Sequence, residues 1–244
     1  VQVLIIAAGK GTRLRDLSFS KPLAPLLELP LLSQVMNRYR KAGINDFVIV
    51  GGWEGEKLQA FLKDYQQEHS RDSSPLNIKY LHMHNWEGGN GLSALRAKGE
   101  IKAPFLLGMC DHVLHPNLIT GMINYKMAED CQVALGIDYQ IKNPHNDIDD
   151  ATKVKCQNGL IDEIGKELSV YDAFDTGIFK CRAGFFTALK QSAEKGDESL
   201  SGGMRLLAIE KKAAIVDVTN NLWIDVDDNI AHEKAKCLIN SGQL

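Results

Sequence analysis

The chain has 244 residues, 44% of them hydrophobic and 24% charged, with a formal net charge of −3. That length suits one large α/β domain, read here as a single domain over residues 1–244, and is short for two. The charge balance gives no general basic field, which argues against nucleic acid as a partner. No apolar run reaches the ~20 residues of a membrane span, and no signal peptide is visible, so no membrane role is expected for this chain.

Strand-like apolar runs fall at 2–8, 46–51, 77–82, 104–110, 131–137 and 213–218. Between them lie amphipathic helical segments near 31–42, 54–68, 91–99, 116–128, 182–193, 199–210 and 228–240. This alternation predicts a Rossmann-like three-layer α/β/α fold, a mostly parallel sheet with helices on both faces. Residues 139–180 break the rhythm. Lys142 to Asp150 is polar and acidic, Thr152 to Cys156 alternates, and Asn158-Gly159 reads as a two-residue hairpin turn into Leu160 to Ile164. The stretch is read as an antiparallel insertion over the end of the sheet where an acceptor would bind.

The first strand ends abruptly at Gly9-Lys10-Gly11-Thr12-Arg13-Leu14, followed by Lys21-Pro22. A buried strand breaking into glycines presents backbone N–H groups to an anion. It is not a P-loop, because Gly11 follows Lys10 where Ser or Thr is required, and the dinucleotide fingerprint fails at Leu14. What remains is a triphosphate site in which Lys10, Arg13 and Lys21 supply the neutralising charge.

Further along, Asn85-Trp86-Glu87-Gly88-Gly89-Asn90-Gly91-Leu92-Ser93 combines glycines, amides and a hydroxyl before a helix, a composition that can approach a planar base and bond to its edge. Asp111 should emerge at the carboxyl tip of a central strand, and Asp225 and Asp227 share one face of an extended segment before the last helix. Few oxygen ligands, with room left for phosphate oxygens, suit Mg²⁺ rather than zinc. His82, His84, His112 and His115 form no tetrahedral set with cysteine or carboxylate, so a transition-metal site is rejected, although His112 stands beside Asp111. Cys110, Cys131, Cys156, Cys181 and Cys237 include no Cys-x-x-Cys pair and suit reduced thiols in a cytoplasmic protein. Cys110 reads as a packed strand residue.

Leu4 to Leu14, with Lys21-Pro22, closely resembles the signature of the sugar-nucleotidyltransferase superfamily, which transfers a nucleoside monophosphate from a triphosphate to a phosphorylated acceptor. Asn90-Gly91-Leu92-Ser93, Met109-Cys110-Asp111-His112, Ala151 to Lys155, Ile164-Gly165-Lys166 and Phe174 to Phe179 are most similar to the inositol-1-phosphate cytidylyltransferase family, which forms CDP-inositol. The resemblance runs over nearly the whole chain. It implies Arg13, Lys21 and Asp111 as catalytic residues and a nucleotide site of Ala7, Ala8, Gly9, Lys10, Gly11, Thr12, Asn85, Gly89, Asn90, Gly91 and Ser93. It implies acceptor contacts from His112, Lys153, Lys166, Asp175 and Thr176, with Lys153 the weaker phosphate ligand. Mg²⁺ would be held by Asp111 with Asp225 or Asp227. Asp228 stands where relatives often carry Thr.

The expected substrates are CTP and a small phosphorylated alcohol. The residues leave open phosphocholine, an aminoalkyl phosphonate or a sugar 1-phosphate as acceptor, UTP or dTTP as donor, and a nucleotide-sensing module in place of an enzyme. A homodimer is also left open. The start at Val1 without Met is read as that of an excised domain, and a fusion with a membrane CDP-alcohol transferase is left open.

Overall fold

The structure, a computed structural model, describes residues 1–142 and 150–244. Residues 143–149, part of the polar acidic stretch assigned to the insertion, lie outside the described residues. The strands are β1 (Val3–Ala7), β2 (Pro25–Leu26), β3 (Leu29–Pro30), β4 (Asp46–Gly51), β5 (Asn77–His82), β6 (Phe105–Met109), β7 (His112–Leu114), β8 (Val133–Asp138), β9 (Lys153–Gln157), β10 (Leu160–Gly165), β11 (Ala173–Cys181), β12 (Ala213–Asp217) and β13 (Trp223–Asp225). The helices are α1 (Leu31–Lys41), α2 (Gly55–Glu68), α3 (Asn90–Leu95), α4 (Pro116–Asn124), α5 (Ala183–Glu194), α6 (Leu200–Ile209) and α7 (Asn229–Asn240).

Nine strands form one sheet in the order β5-β4-β1-β6-β11-β8-β12-β10-β9. Every residue of β1 is buried, because it lies between parallel partners β4 and β6 with helices over both faces. Its side chains alternate between two cores: Val3, Ile5 and Ala7 join the cluster under α1, α2, α4 and α7, while Leu4, Ile6 and Ala8 join the one under α3, α5 and α6. The three-layer expectation therefore holds, and the strand tips of β1 and β6 open on one end of the sheet.

The insertion differs from its expected form. Asn158 (φ 53°) and Gly159 (φ 78°) make the anticipated turn between β9 and β10, but the hairpin continues the main sheet rather than lying across it. Residues 173–181, largely inside the stretch read as an insertion, are the central strand β11, antiparallel to both β6 and β8. Burial explains this. Phe174, Ile178, Phe179 and Cys181 fill both cores, so the segment needs cover on both faces. Among the described residues, no helix is long and apolar enough to cross a membrane.

Candidate active site

The loop after β1 turns at Gly11, whose φ of 59° lies in the left-handed region. A Cβ there would come within 2.2 Å of the Lys21 Cβ, so only glycine permits this approach. Leu14, fully buried, anchors the short helical turn Thr12–Leu14, and a second such turn, Lys21–Leu23, delivers Lys21 from the opposite side. Lys21 is only 7% exposed, and its ammonium pairs with both Asp111 and Asp227. Burial disfavours that charge, but the two carboxylates outweigh it and hold Lys21 above its ordinary value.

Asp111 follows β6 at the strand tip, as expected. The short ladder between β7 and β13 then sets Asp225 directly opposite His112. His112 Nδ1 lies 2.8 Å from Asp111 and 3.7 Å from Asp225. The ring stacks on Trp223, whose Nε1 donates to Asp138 at 2.8 Å. Burial opposes charge on His112, yet Asp225 and Asp111 together push it up to about 9. For Asp111, burial is likewise outweighed, here by Lys21 and His112, and its carboxyl sits well below the usual range. Asp225 behaves oppositely, because burial dominates and lifts it to about 7.

Asp111, His112 and Asp225 offer three ligand atoms within 4.8 Å of one another, and Asp225 Oδ1 is buried with no hydrogen-bond partner. An orphaned carboxylate oxygen beside a second carboxylate fits a hard divalent cation. Asp227 lies outside that group, turned to Lys21 and 3.7 Å from Arg13. Neither acid caps α7, since the Asp228 side chain accepts the Ala231 N–H at 2.8 Å. The Cys110 thiol is pushed up by burial and does not suit nucleophilic chemistry.

Two cavities open here. The smaller, about 300 Å³, is lined by Ala7, Ala8, Gly9, Gly11, Thr12, Asn90 and Ser93 of the expected nucleotide set, together with Trp86 and Gly88. The larger, about 610 Å³, takes in His112, Lys166, Asp175 and Asp225. Arg13, Asp111 and Asp227 line both, so the cavities meet at the carboxylates.

Several expected residues stand elsewhere. Lys10 carries its ammonium 4.4 Å from the Trp53 ring centre, a cation–π contact, rather than over the glycine loop. Asn85 is exposed away from the smaller cavity. Gly89 and Gly91 pack on the Glu198–Ser199 backbone, with Gly91 N–H donating to Glu198 O at 2.8 Å, so their smallness serves helix packing. Asn90 lines both cavities, but its Oδ1 accepts from Leu200 N–H at 2.8 Å. On the acceptor side, Lys153 Nζ donates to the Lys166 carbonyl at 2.7 Å, and the fully buried Thr176 hydroxyl donates to Gly136 O at 2.8 Å. Neither lines the larger cavity, whereas His112, Lys166 and Asp175 of the expected acceptor set do.

Asp150 carries no motif of its own in the sequence. It lines the larger cavity and bridges Arg13, at 2.8 Å, and Lys166. Nothing in its acidic surroundings distinguishes it, because only the fold brings those two cations together. Trp223 had a local signal, an aromatic ring two residues before Asp225.

Asp175, which accepts the Gly177 N–H at 2.7 Å, is raised to about 6 by burial. The native state thus holds its proton more tightly than the unfolded chain, and this residue subtracts stability as pH rises from about 4 to 6. Asp175→Asn keeps the acceptor oxygen but not the charge. Its unfolding free energy relative to wild type is expected to increase between pH 4.5 and 7.5 in urea titrations, and a constant difference would show that Asp175 is not held protonated.

A strand-tip cleft with a glycine loop, the buried Lys21 and an acidic cluster suits a nucleotide-binding transferase. Residues 3–145 match the MobA-like NTP transferase domain, and the chain belongs to that family. It is 33% identical over 237 residues to the "Bifunctional IPC transferase and DIPP synthase" of Aquifex aeolicus, covering 96% of this chain and 50% of that protein. The protein of the same name from Archaeoglobus fulgidus is 28% identical, covering 93% of this chain and 41% of its own. The chain thus spans about half the length of these curated relatives. The solved inositol-1-phosphate CTP transferase from T. maritima superposes with a TM-score of 0.84 at 20% identity, covering 99% of this chain and 96% of that one, which establishes a shared fold.

Proposed function

We propose that this chain transfers CMP from CTP to inositol 1-phosphate, giving CDP-inositol and pyrophosphate. The observation that carries the reading is the meeting of two cavities at Asp111, Asp227 and Arg13, with a glycine loop on one side and Lys166 on the other. The names of the relatives support the substrate pair. A phosphate oxygen of the acceptor forms a bond to the α-phosphorus of CTP as the bond to the bridging oxygen of pyrophosphate breaks. The acceptor phosphate is already largely ionised at pH 7, its second pKa being about 6, so no general base is needed.

Positioning and charge then do the work. Arg13 and Lys21 balance the charge on the departing pyrophosphate, while the backbone from Ala8 to Thr12 cradles the triphosphate. Lys166 draws the acceptor phosphate toward the shared boundary, and Asp175 offers an oxygen to a hydroxyl of the polyol. Mg²⁺ held by Asp111 and Asp225, with Asp227 at the edge, would supply positive charge at the transferred phosphate.

A pyrophosphate-release screen tests the reading, crossing CTP, UTP, dTTP, GTP and ATP with inositol 1-phosphate, phosphocholine, aminoethylphosphonate and glucose 1-phosphate. Turnover should peak with CTP and inositol 1-phosphate, and equal rates with a purine triphosphate would overturn the donor assignment. Lys166→Ala is expected to raise the KM for inositol 1-phosphate about tenfold while leaving that for CTP nearly unchanged. The opposite pattern would move Lys166 to the donor side.

A further inference from the structure

A third cavity, of about 900 Å³, shares no lining residue with the two at the active site. It lies between the last turn of α1, residues 72–74, the start of α4 and the segment from Ile239 to Leu244. Its wall holds Arg38, which is only 5% exposed. The Arg38 Nε has no hydrogen-bond partner, burial lowers the guanidinium pKa, and among the described residues no carboxylate pairs with it. A buried charge without a counter-charge is costly, and a bound anion would offset that cost.

Its surroundings are cationic. Lys41 and His115 line the same cavity, and burial together with Arg38 and Lys41 lowers the His115 imidazole. His115 Nδ1 accepts from Asn117 N–H at 3.2 Å as the cap of α4, so in the neutral ring Nε2 is a donor. Among the described residues, Asp72 is the one acid of the lining, and Arg40 already pairs with it at 2.6 Å. The negative end of α1 does not explain Arg38, because the closing carbonyls of that helix are taken by the N–H groups of Ala42, Gly43 and Ile44.

We propose that this cavity is a second binding site, for a small phosphorylated molecule, with the Arg38 guanidinium as phosphate anchor and Lys41 and His115 beside it. A phosphate dianion matches several convergent donors better than a single carboxylate does. Asn37, Asn45 and Ser74 supply amides and a hydroxyl for a polar, hydroxylated body. The site does not depend on the proposed reaction, since it uses none of that reaction's residues.

The test is calorimetric titration with inorganic phosphate in an Arg13→Ala/Lys166→Ala background, which removes two cations of the catalytic cleft. One phosphate site should remain. Arg38→Gln added to that background should weaken it at least about tenfold, and Lys41→Ala, an exposed change, about threefold. Phosphate should raise the Tm of the background protein but not of its Arg38→Gln derivative. Without phosphate, that derivative should melt no lower than its parent, having lost an unpaired buried charge. If Arg38→Gln fails to fold, Arg38→Lys and Lys41→Ala decide the matter, each expected to weaken binding. No phosphate binding in the double variant, or full affinity without the Arg38 guanidinium, would overturn the proposal.

Discussion

Asp111→Asn is expected to lower turnover about 10²–10³-fold, the scale on which one fixed electrostatic group acts at a transferred phosphate. The fold is expected to weaken as well. Lys21 is buried between Asp111 and Asp227, and breaking a buried pair by removing one partner costs about 3–5 kcal/mol because a charge is left behind. The remaining Asp227 pair places the loss toward the lower end. The Asp111 pKa is depressed in the native state, so its contribution is present above the unfolded value near 4 and is lost as pH falls below that. The stability gap between wild type and Asp111→Asn should therefore narrow on acidification. Rates at saturating Mg²⁺, with urea titrations at pH 7 and pH 3, measure both effects. Near wild-type turnover would remove Asp111 from the reaction, and unchanged stability would show that the Lys21 pair carries none of the fold.

Gly91→Ala should produce the second large effect, and its sign comes from packing. Inside a helix, replacing glycine with alanine favours the helical state by about 1 kcal/mol. Here the added Cβ would lie 2.6 Å from the Glu198 carbonyl oxygen and 2.9 Å from Ser199 backbone atoms, and backbone cannot swing aside as a long side chain can. Overpacking of this kind costs about 1–3 kcal/mol, enough to reverse the propensity gain. The displaced α3 would also carry Asn90 and Ser93 out of the smaller cavity. The expected result is a lower Tm and a CTP KM raised at least about tenfold, with the KM for inositol 1-phosphate changed much less. An unchanged or higher Tm would mean that the loop yields around the methyl group, and an unchanged CTP KM would separate α3 from the nucleotide site.

Much of this protein was legible before its fold. The apolar run through Ala8 and the glycines after it locate the first strand and its anion loop, because both depend on residues adjacent in the chain. Asp111 was readable at a strand tip, the Asn158-Gly159 turn appeared where its dipeptide placed it, and alternating periods gave the three layers. The glycines of the 88–91 loop were visible too, but not their purpose. Composition records that a backbone needs space, and only packing shows that Glu198, over a hundred residues away, occupies it.

Local sequence thus determined the α/β class, the glycine loop after the first strand and the identity of the acids, since periodicity and turn chemistry act over a few residues. Tertiary structure decided which charges meet. It set β11 between β6 and β8, paired β13 with β7 so that Asp225 faces His112, placed Asp150 between Arg13 and Lys166, turned Thr176 to a backbone carbonyl and left Arg38 Nε buried with no hydrogen-bond partner among the described residues. Each of these depends on burial and on pairing across long chain separations. Neither is encoded in residue type or local spacing, because the same aspartate or arginine is unremarkable in water and consequential once solvent is excluded.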